Sequence, residues 1–247
     1  MAELPTVHAI ADRLAPALDR ERYHREGDPA GVWIGSDRPV RRLGLRLEAG
    51  RPPYGWADGL DALLIHRPFG LWPARLPAGL GVVAVHRALD DRFSVGHAPA
   101  LAAALGLTPD PEPLTRDGKT VGLVGRCARQ PLADVVGRVE AELGGVEETA
   151  GGAPEAVEAV ALVGAMTDAL VRKASARGAG VYVTGQLRKP ARAAVQATGL
   201  RVLAVGQDRA EAWGLRHLGR LVQAAWPAVG LVPLDLPPVP PASGADL

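Results

Sequence analysis

The sequence predicts an α/β protein with two intertwined lobes and mostly parallel sheets. Short apolar runs rich in valine, leucine and isoleucine recur along the chain, as in strands that are covered on both faces. Segments with helical spacing of apolar residues lie between several of these runs. The chain has 247 residues, of which 47% are hydrophobic, so it can bury a substantial core. Strands that alternate with helices indicate parallel sheets packed against helices.

The first element is an amphipathic helix from Leu4 to Leu18, because apolar residues recur there at three- and four-residue spacing. These residues are Leu4, Val7, Ile10, Leu14 and Leu18. A short apolar run follows at 31–35. Further apolar runs then predict strands at 43–47, 62–65, 82–85, 160–163, 181–184 and 202–205. Helices are predicted at 98–105, 132–143, 167–177, 190–198 and 210–225.

A segment rich in proline and charge, at 108–120, divides the chain near its middle. We therefore expect an N-terminal α/β lobe at 1–110, a linker or loop at 111–120 and a C-terminal α/β lobe at 121–236. The last residues, 237–247, are rich in proline and lack periodicity, which predicts a disordered tail.

The charge balance argues against several classes of partner. The chain carries 28 basic and 27 acidic residues, so no overall field attracts nucleic acid or an anionic membrane. No apolar stretch approaches the roughly 20 residues that span a bilayer, and the N-terminus lacks the pattern of a signal peptide. A single cysteine, Cys127, excludes an intramolecular disulfide. We therefore expect a cytoplasmic protein.

Polar clusters follow three of the predicted strands directly. They are His66-Arg67-Pro68, the stretch from His86 to Asp90, and the stretch from Gly206 to Glu211. In open α/β sheets, ligands bind beyond the carboxyl ends of the strands. Imidazole and carboxylate groups are suitable ligands for a first-row metal ion. The sequence therefore predicts one metal site formed by these three strand ends.

The order of these motifs resembles that of the NIF-three-like dinuclear-metal-centre family, whose members are also named GTP cyclohydrolase 1 type 2 homologues. The family pattern runs through a D-N-x-G-L-like opening, H-H-P, H-T-x-L-D, T-G-E/D and G-H-x-x-S/T-E. The corresponding stretches are DPAGV at 28–32, HRP at 66–68, HRALD at 86–90, TGQ at 184–186 and GQDRAE at 206–211. The resemblance extends over about residues 5–235.

The resemblance implies a site for two metal ions, but this chain keeps only part of the ligand set. His66, Asp90 and Glu211 retain ligand-type side chains, whereas Arg67 and Gln207 occupy histidine positions. Guanidinium has no accessible lone pair, and a carboxamide oxygen is a weaker ligand than imidazole for zinc, iron or nickel. The predicted site is therefore partly degenerate.

Two outcomes remain open for this site. It holds one divalent ion (zinc, iron, manganese or nickel), or Arg67 replaces the metal by bridging Asp90 and Glu211. Two ions are not expected. His86 is expected to hydrogen-bond to a ligand rather than to coordinate the metal itself.

The resemblance further implies a homohexamer assembled as a trimer of dimers. Two functions follow for such a protein. Loss of metal ligands favours a binding or metal-handling hexamer with weak or absent catalysis. The alternative is a metal-dependent hydrolase that acts on GTP or a related nucleotide, which would make a small nucleotide a ligand.

Overall fold

The computed structural model describes residues 3–239, which form helices and two β-sheets. The helices are α1 (Val7–Leu18), α2 (Arg20–Arg25), α3 (His86–Arg92), α4 (Pro99–Ala104), α5 (Leu132–Leu143), α6 (Asp168–Ala176), α7 (Arg192–Thr198) and α8 (Gln207–Ala225). The strands are β1 (Ala30–Ile34), β2 (Arg42–Glu48), β3 (Ala62–Arg67), β4 (Gly81–Val85), β5 (Thr108–Pro109), β6 (Leu114–Arg116), β7 (Lys119–Pro131), β8 (Glu148–Gly151), β9 (Ala156–Val163), β10 (Val181–Thr184), β11 (Arg201–Ala204) and β12 (Gly230–Pro233).

The chain divides into two compact units. One comprises Met1–Leu89 with Gly214–Leu236, and the other comprises Asp90–Trp213 with Pro237–Leu247. The division predicted from the sequence was at 111–120 instead, with everything from 121 to 236 in the second lobe. The segment Gly214–Leu236 returns to the first unit, where β12 pairs in parallel with β2. Of the predicted tail at 237–247, residues 240–247 lie outside the described residues.

The first unit contains a five-stranded sheet in the order β1-β4-β3-β2-β12. The pairs β4–β3, β3–β2 and β2–β12 are parallel, and β1 is antiparallel to β4. Helix α1 confirms the predicted opening helix, and its Thr6 hydroxyl accepts a hydrogen bond from the Ala9 N–H at 3.3 Å. Any side chain at Gly81 would collide with Val7, so this glycine allows α1 to approach β4 closely.

The second unit contains the larger sheet, in the order β5-β7-β9-β10-β11-β8, with β6 paired to β7. Its central strands β9, β10 and β11 are parallel, whereas β7 and β8 run antiparallel on either side. Val181 and Val183 pack on one face with residues of α5, and Tyr182 packs on the other with residues of α6 and α7. Burial on both faces explains the continuous apolar runs and confirms the α/β class.

The predicted linker at 111–120 forms a β-hairpin. Strand β6 pairs antiparallel with the start of β7, and the turn between them has Asp117 and Gly118 at φ values of 51° and 74°. Asp-Gly is a strong signal for this type of hairpin turn, because both central residues need positive φ. Arg126, Arg129 and Gln130 interrupt the apolar residues of this strand, so the hydrophobic pattern did not indicate the length of β7. Among the described helices, none has both the length and the apolar character needed to cross a bilayer.

Candidate metal centre

The two histidines of the candidate site lie at adjacent strand ends in the first unit. His66 is the fifth residue of β3 and is fully buried. His86 follows β4 directly and is the first residue of α3. Because β3 and β4 are parallel neighbours, their carboxyl ends lie side by side. The two imidazole rings are consequently 5.5 Å apart between centroids.

Asp90 joins these histidines because it lies on the same helix as His86. Residues four apart on an α-helix share one face, so α3 presents His86 and Asp90 together. One ligand atom from each of His66, His86 and Asp90 lies within 4.8 Å of the other two. Two imidazoles and a carboxylate form a donor set that suits zinc, iron, manganese or nickel. The residues present therefore fit a divalent transition metal.

Asp28 fixes the orientation of the His86 ring. Its Oδ1 lies 2.7 Å from Nδ1 of His86, and its Oδ2 accepts a hydrogen bond from the backbone N–H of Arg87 at 2.9 Å. The Asp28 side chain is only 4% exposed, so both contacts are shielded from water. A carboxylate on one imidazole nitrogen leaves the other nitrogen available to a metal and makes it more basic. This arrangement is common around histidines that bind metal.

Arg67 pairs with a carboxylate of the neighbouring strand. It stands opposite Glu48 in the register of β2 and β3, and its Nη1 donates to Glu48 Oε1 at 2.8 Å. The Arg67 side chain is 28% exposed and that of Glu48 is 67% exposed, so the pair is near the surface. The bridge from Arg67 to Asp90 and Glu211 stays a prediction.

Gln207 and Glu211 lie one turn apart at the start of α8. The Gln207 amide donates to Glu211 Oε1 at 2.8 Å, and Glu211 is fully buried. Gly185 makes room for this arrangement, because a Cβ there would lie 2.6 Å from Gln207 Oε1. The role of Glu211 as a metal ligand stays a prediction.

Two cavities of the second unit share part of their lining, and the smaller one lies beside Asp90. The smaller has a volume of about 200 Å³ and is lined by Asp90, His97 and Gln207 among others. The larger has a volume of about 590 Å³, and Gln207 also contributes to its lining. Burial and the nearby charge of Arg92 lower the pKa of His97, which favours its neutral form. The space beside Asp90 is therefore large enough for a small ligand.

The expectation that His86 hydrogen-bonds to a ligand rather than coordinating the metal stays a prediction. Asp28 was matched to the opening of the family pattern, but it was not predicted to be the partner of His86. The spacing of His86 and Asp90 contained the relevant signal, because residues four apart face the same way if the segment is helical. Without a strong apolar period at 86–92, the sequence did not reveal that helix. The contact between Asp28 and His86 joins residues 58 positions apart, so local spacing could not predict it.

Solved structures with similar folds are known from several organisms. TTHA1606 from Thermus thermophilus is 22% identical, with a TM-score of 0.69 over 95% of this chain and 99% of that one. Reduced HcgD from Methanocaldococcus jannaschii is 18% identical, with a TM-score of 0.65 over 94% and 98%. A Bacillus cereus protein related to NIF3 is 16% identical, with a TM-score of 0.61 over 97% and 99%. At these identities the likeness establishes the fold alone.

Comparison of the sequence with known proteins and with family models identifies the family of this chain. No curated protein matches the chain significantly. The family model Duf34/NIF3 (NGG1p interacting factor 3), however, matches residues 5–235, which is nearly the whole chain. The chain belongs to the Duf34/NIF3 family.

Proposed function

We propose that the protein binds one divalent transition-metal ion through His66, His86 and Asp90. It would then act as a metal-binding or metal-handling protein with weak or absent catalysis. The observation that supports this proposal is the convergence of three ligand atoms within 4.8 Å, with the His86 ring held by Asp28. The bound ion, whether zinc, iron, manganese or nickel, would supply Lewis acidity at this position.

Departures from the family pattern support a single ion. The guanidinium of Arg67 has no accessible lone pair, so it cannot coordinate a second cation. Gln207 donates its amide N–H to Glu211 and offers a metal only its carboxamide oxygen, which is a weaker ligand than imidazole. We retain Glu211 as a candidate fourth ligand, since a buried carboxylate is a suitable partner for a cation.

Metal analysis of protein purified without chelator tests this proposal. We expect about one equivalent per chain, measured by mass spectrometry of the dissolved metal. His86→Gln and Asp90→Asn should each lower that content severalfold. His24→Gln is the matched control, because His24 is exposed on α2 and does not belong to the group of ligand atoms. Two equivalents in the wild type, or full occupancy in both site variants, would overturn the proposal.

The second candidate function is metal-dependent hydrolysis of GTP or a related nucleotide. The cavity of about 590 Å³, which shares lining residues with the smaller cavity beside Asp90, supports this candidate because it accommodates a ligand of that size. Turnover of GTP with added manganese, zinc or iron tests it. Activity that requires metal and disappears in Asp90→Ala and Glu211→Ala would favour the enzyme. No turnover with any of these metals would favour the binding protein.

A homohexamer assembled as a trimer of dimers is part of the proposal, on the basis of family membership. Size-exclusion chromatography with light scattering checks it, with an expected mass near six times the 25.7 kDa of one chain. A stable monomer would contradict this part. The cytoplasmic location also stays a prediction.

A further inference from the structure

The larger cavity of the second unit lies at the carboxyl ends of its central parallel strands. Its lining includes Thr184 at the end of β10 and the segment from Gly164 to Asp168 that follows β9. It shares four lining residues with the smaller cavity, which reaches Asp90; they are Arg116, Gly164, Ala165 and Gln207. Together the two cavities form one cleft, defined here as the strand-end cleft.

Two arginines give the larger cavity of the strand-end cleft a positive charge, and one of them, Arg116, also lines the smaller cavity. The arginine end of the cleft is the part beside Arg188. Arg188 lines the larger cavity, and its guanidinium makes no ion pair or hydrogen bond in the part of the chain that the structure describes. Arg116 lies 3.7 Å from the carboxylate of Asp117, a side chain that is 91% exposed, so this pair is weak. Asp168 is also part of the lining, but Arg172 contacts both of its carboxylate oxygens. Donors of both cleft arginines therefore remain available.

Thr184 adds a buried hydroxyl to the same cavity. It is 1% exposed and lies two residues after Tyr182, so both side chains point to the same face of the sheet. The Thr184 hydroxyl takes part in no hydrogen bond among residues 3–239. Because Thr184 lines the larger cavity, its hydroxyl is available to a ligand bound there.

The opposite end of the cleft is acidic. Asp90 and Asp91 line the smaller cavity, where the proposed metal ligand Asp90 lies. An anionic group is therefore favoured at the arginine end and disfavoured at the end near Asp90. A ligand with one anionic end and an uncharged body matches this distribution of charge. The larger cavity alone, with about 590 Å³, has room for such a molecule.

We infer that the strand-end cleft binds a small phosphate monoester. Arg188 and Arg116 hold the phosphate with charge-assisted hydrogen bonds, the Thr184 hydroxyl donates to a third oxygen, and the organic part extends toward Asp90. A phosphate has several acceptor oxygens and therefore needs hydrogen-bond donors around it. The guanidinium groups of the two arginines only donate, and the threonine hydroxyl can donate as well. This inference deepens the proposed function by naming a class of ligand. The position of that ligand beside a metal ion rests on the proposed function. The anion contacts themselves require no metal.

Calorimetric titration of the intact, chelator-treated protein tests the inference. The probes are ribose 5-phosphate and GMP, compared with ribose, guanosine and inorganic phosphate. We expect the two esters to bind at least about tenfold more tightly than the other three, because only they fill both ends of the cleft. Failure of metal binding would leave this result unchanged, so the two proposals can fail separately.

Three variants assign the binding to the cleft. Arg188→Gln and Thr184→Val should each weaken binding of the esters about tenfold or more. Lys189→Gln is the matched control, because Lys189 is the next residue along the chain, is exposed and does not line the cavity. Thermal unfolding confirms that each variant is folded. The inference is overturned if the esters bind no better than inorganic phosphate, if Arg188→Gln binds normally, or if Lys189→Gln loses as much affinity as Arg188→Gln.

Discussion

Replacement of Asp28 by asparagine should weaken metal binding although Asp28 is not itself a proposed ligand. Asp28 accepts two hydrogen bonds, one from the His86 ring and one from the backbone N–H of Arg87. Asparagine has nearly the same shape but offers only one acceptor oxygen, and its NH₂ group would face one of the two donors. Asp28→Asn therefore cannot satisfy both groups, and the His86 ring loses its fixed orientation.

The expected loss of affinity follows from the contact that is broken. The Oδ1–Nδ1 distance is 2.7 Å and the Asp28 side chain is 4% exposed, so this is a short hydrogen bond shielded from water. Removal of such a partner of a metal-binding histidine typically costs 10–100-fold in affinity, or about 1.4–2.7 kcal/mol. The metal-free protein should lose only about 1 kcal/mol of unfolding free energy, from the impaired contact to the start of α3.

Competition with a chelator, using zinc or manganese, measures the affinity of each variant. Glu26→Gln is the control: Glu26 accepts a hydrogen bond from the Arg87 side chain at 2.6 Å, but it contacts neither histidine. We expect Glu26→Gln to bind metal like the wild type. The reasoning is refuted if Asp28→Asn keeps full affinity, or if it loses no more affinity than Glu26→Gln.

Two further predictions concern the stability of the second unit. Asp110→Asn should lower the unfolding free energy by about 1–2 kcal/mol near neutral pH, because Asp110 accepts two hydrogen bonds from Arg126 and one from Arg177. The hydrogen bonds from Arg126 lower the pKa of Asp110 below 3.8, so the stability that Asp110 contributes is present above pH 3.8 and is lost as the pH falls through the pKa of the folded state. Urea unfolding should therefore show a smaller difference in stability between wild type and Asp110→Asn at about pH 3 than at about pH 7. An equal difference at both pH values would contradict this. Gly206→Ala should destabilise the protein by about 1–3 kcal/mol, because φ is 90°, a conformation that alanine rarely adopts, and the Glu147 carboxylate would also have to move. Unchanged urea unfolding would contradict this prediction.

Much of the fold was predictable because the chain alternates two clear periods. The helix predicted at 132–143 coincides with α5, and the strand predicted at 181–184 coincides with β10. The hairpin around Asp117 was not anticipated, since proline and charge at 108–120 resembled a linker. Strand β12 was also missed, because its partner β2 lies nearly 190 residues earlier and the pattern of a short edge strand is weak.

By itself, the sequence determined the residue types at the candidate site and their order along the chain. It therefore established what Arg67 and Gln207 cannot do, since coordination chemistry depends on the side chain alone. Only the tertiary structure decided which of the retained groups meet. Helix α3 brings His86 beside Asp90, the parallel pairing of β3 with β4 brings His66 beside His86, and Asp28 reaches the ring from 58 residues away. Such contacts depend on strand register and the start of a helix, which local spacing does not determine.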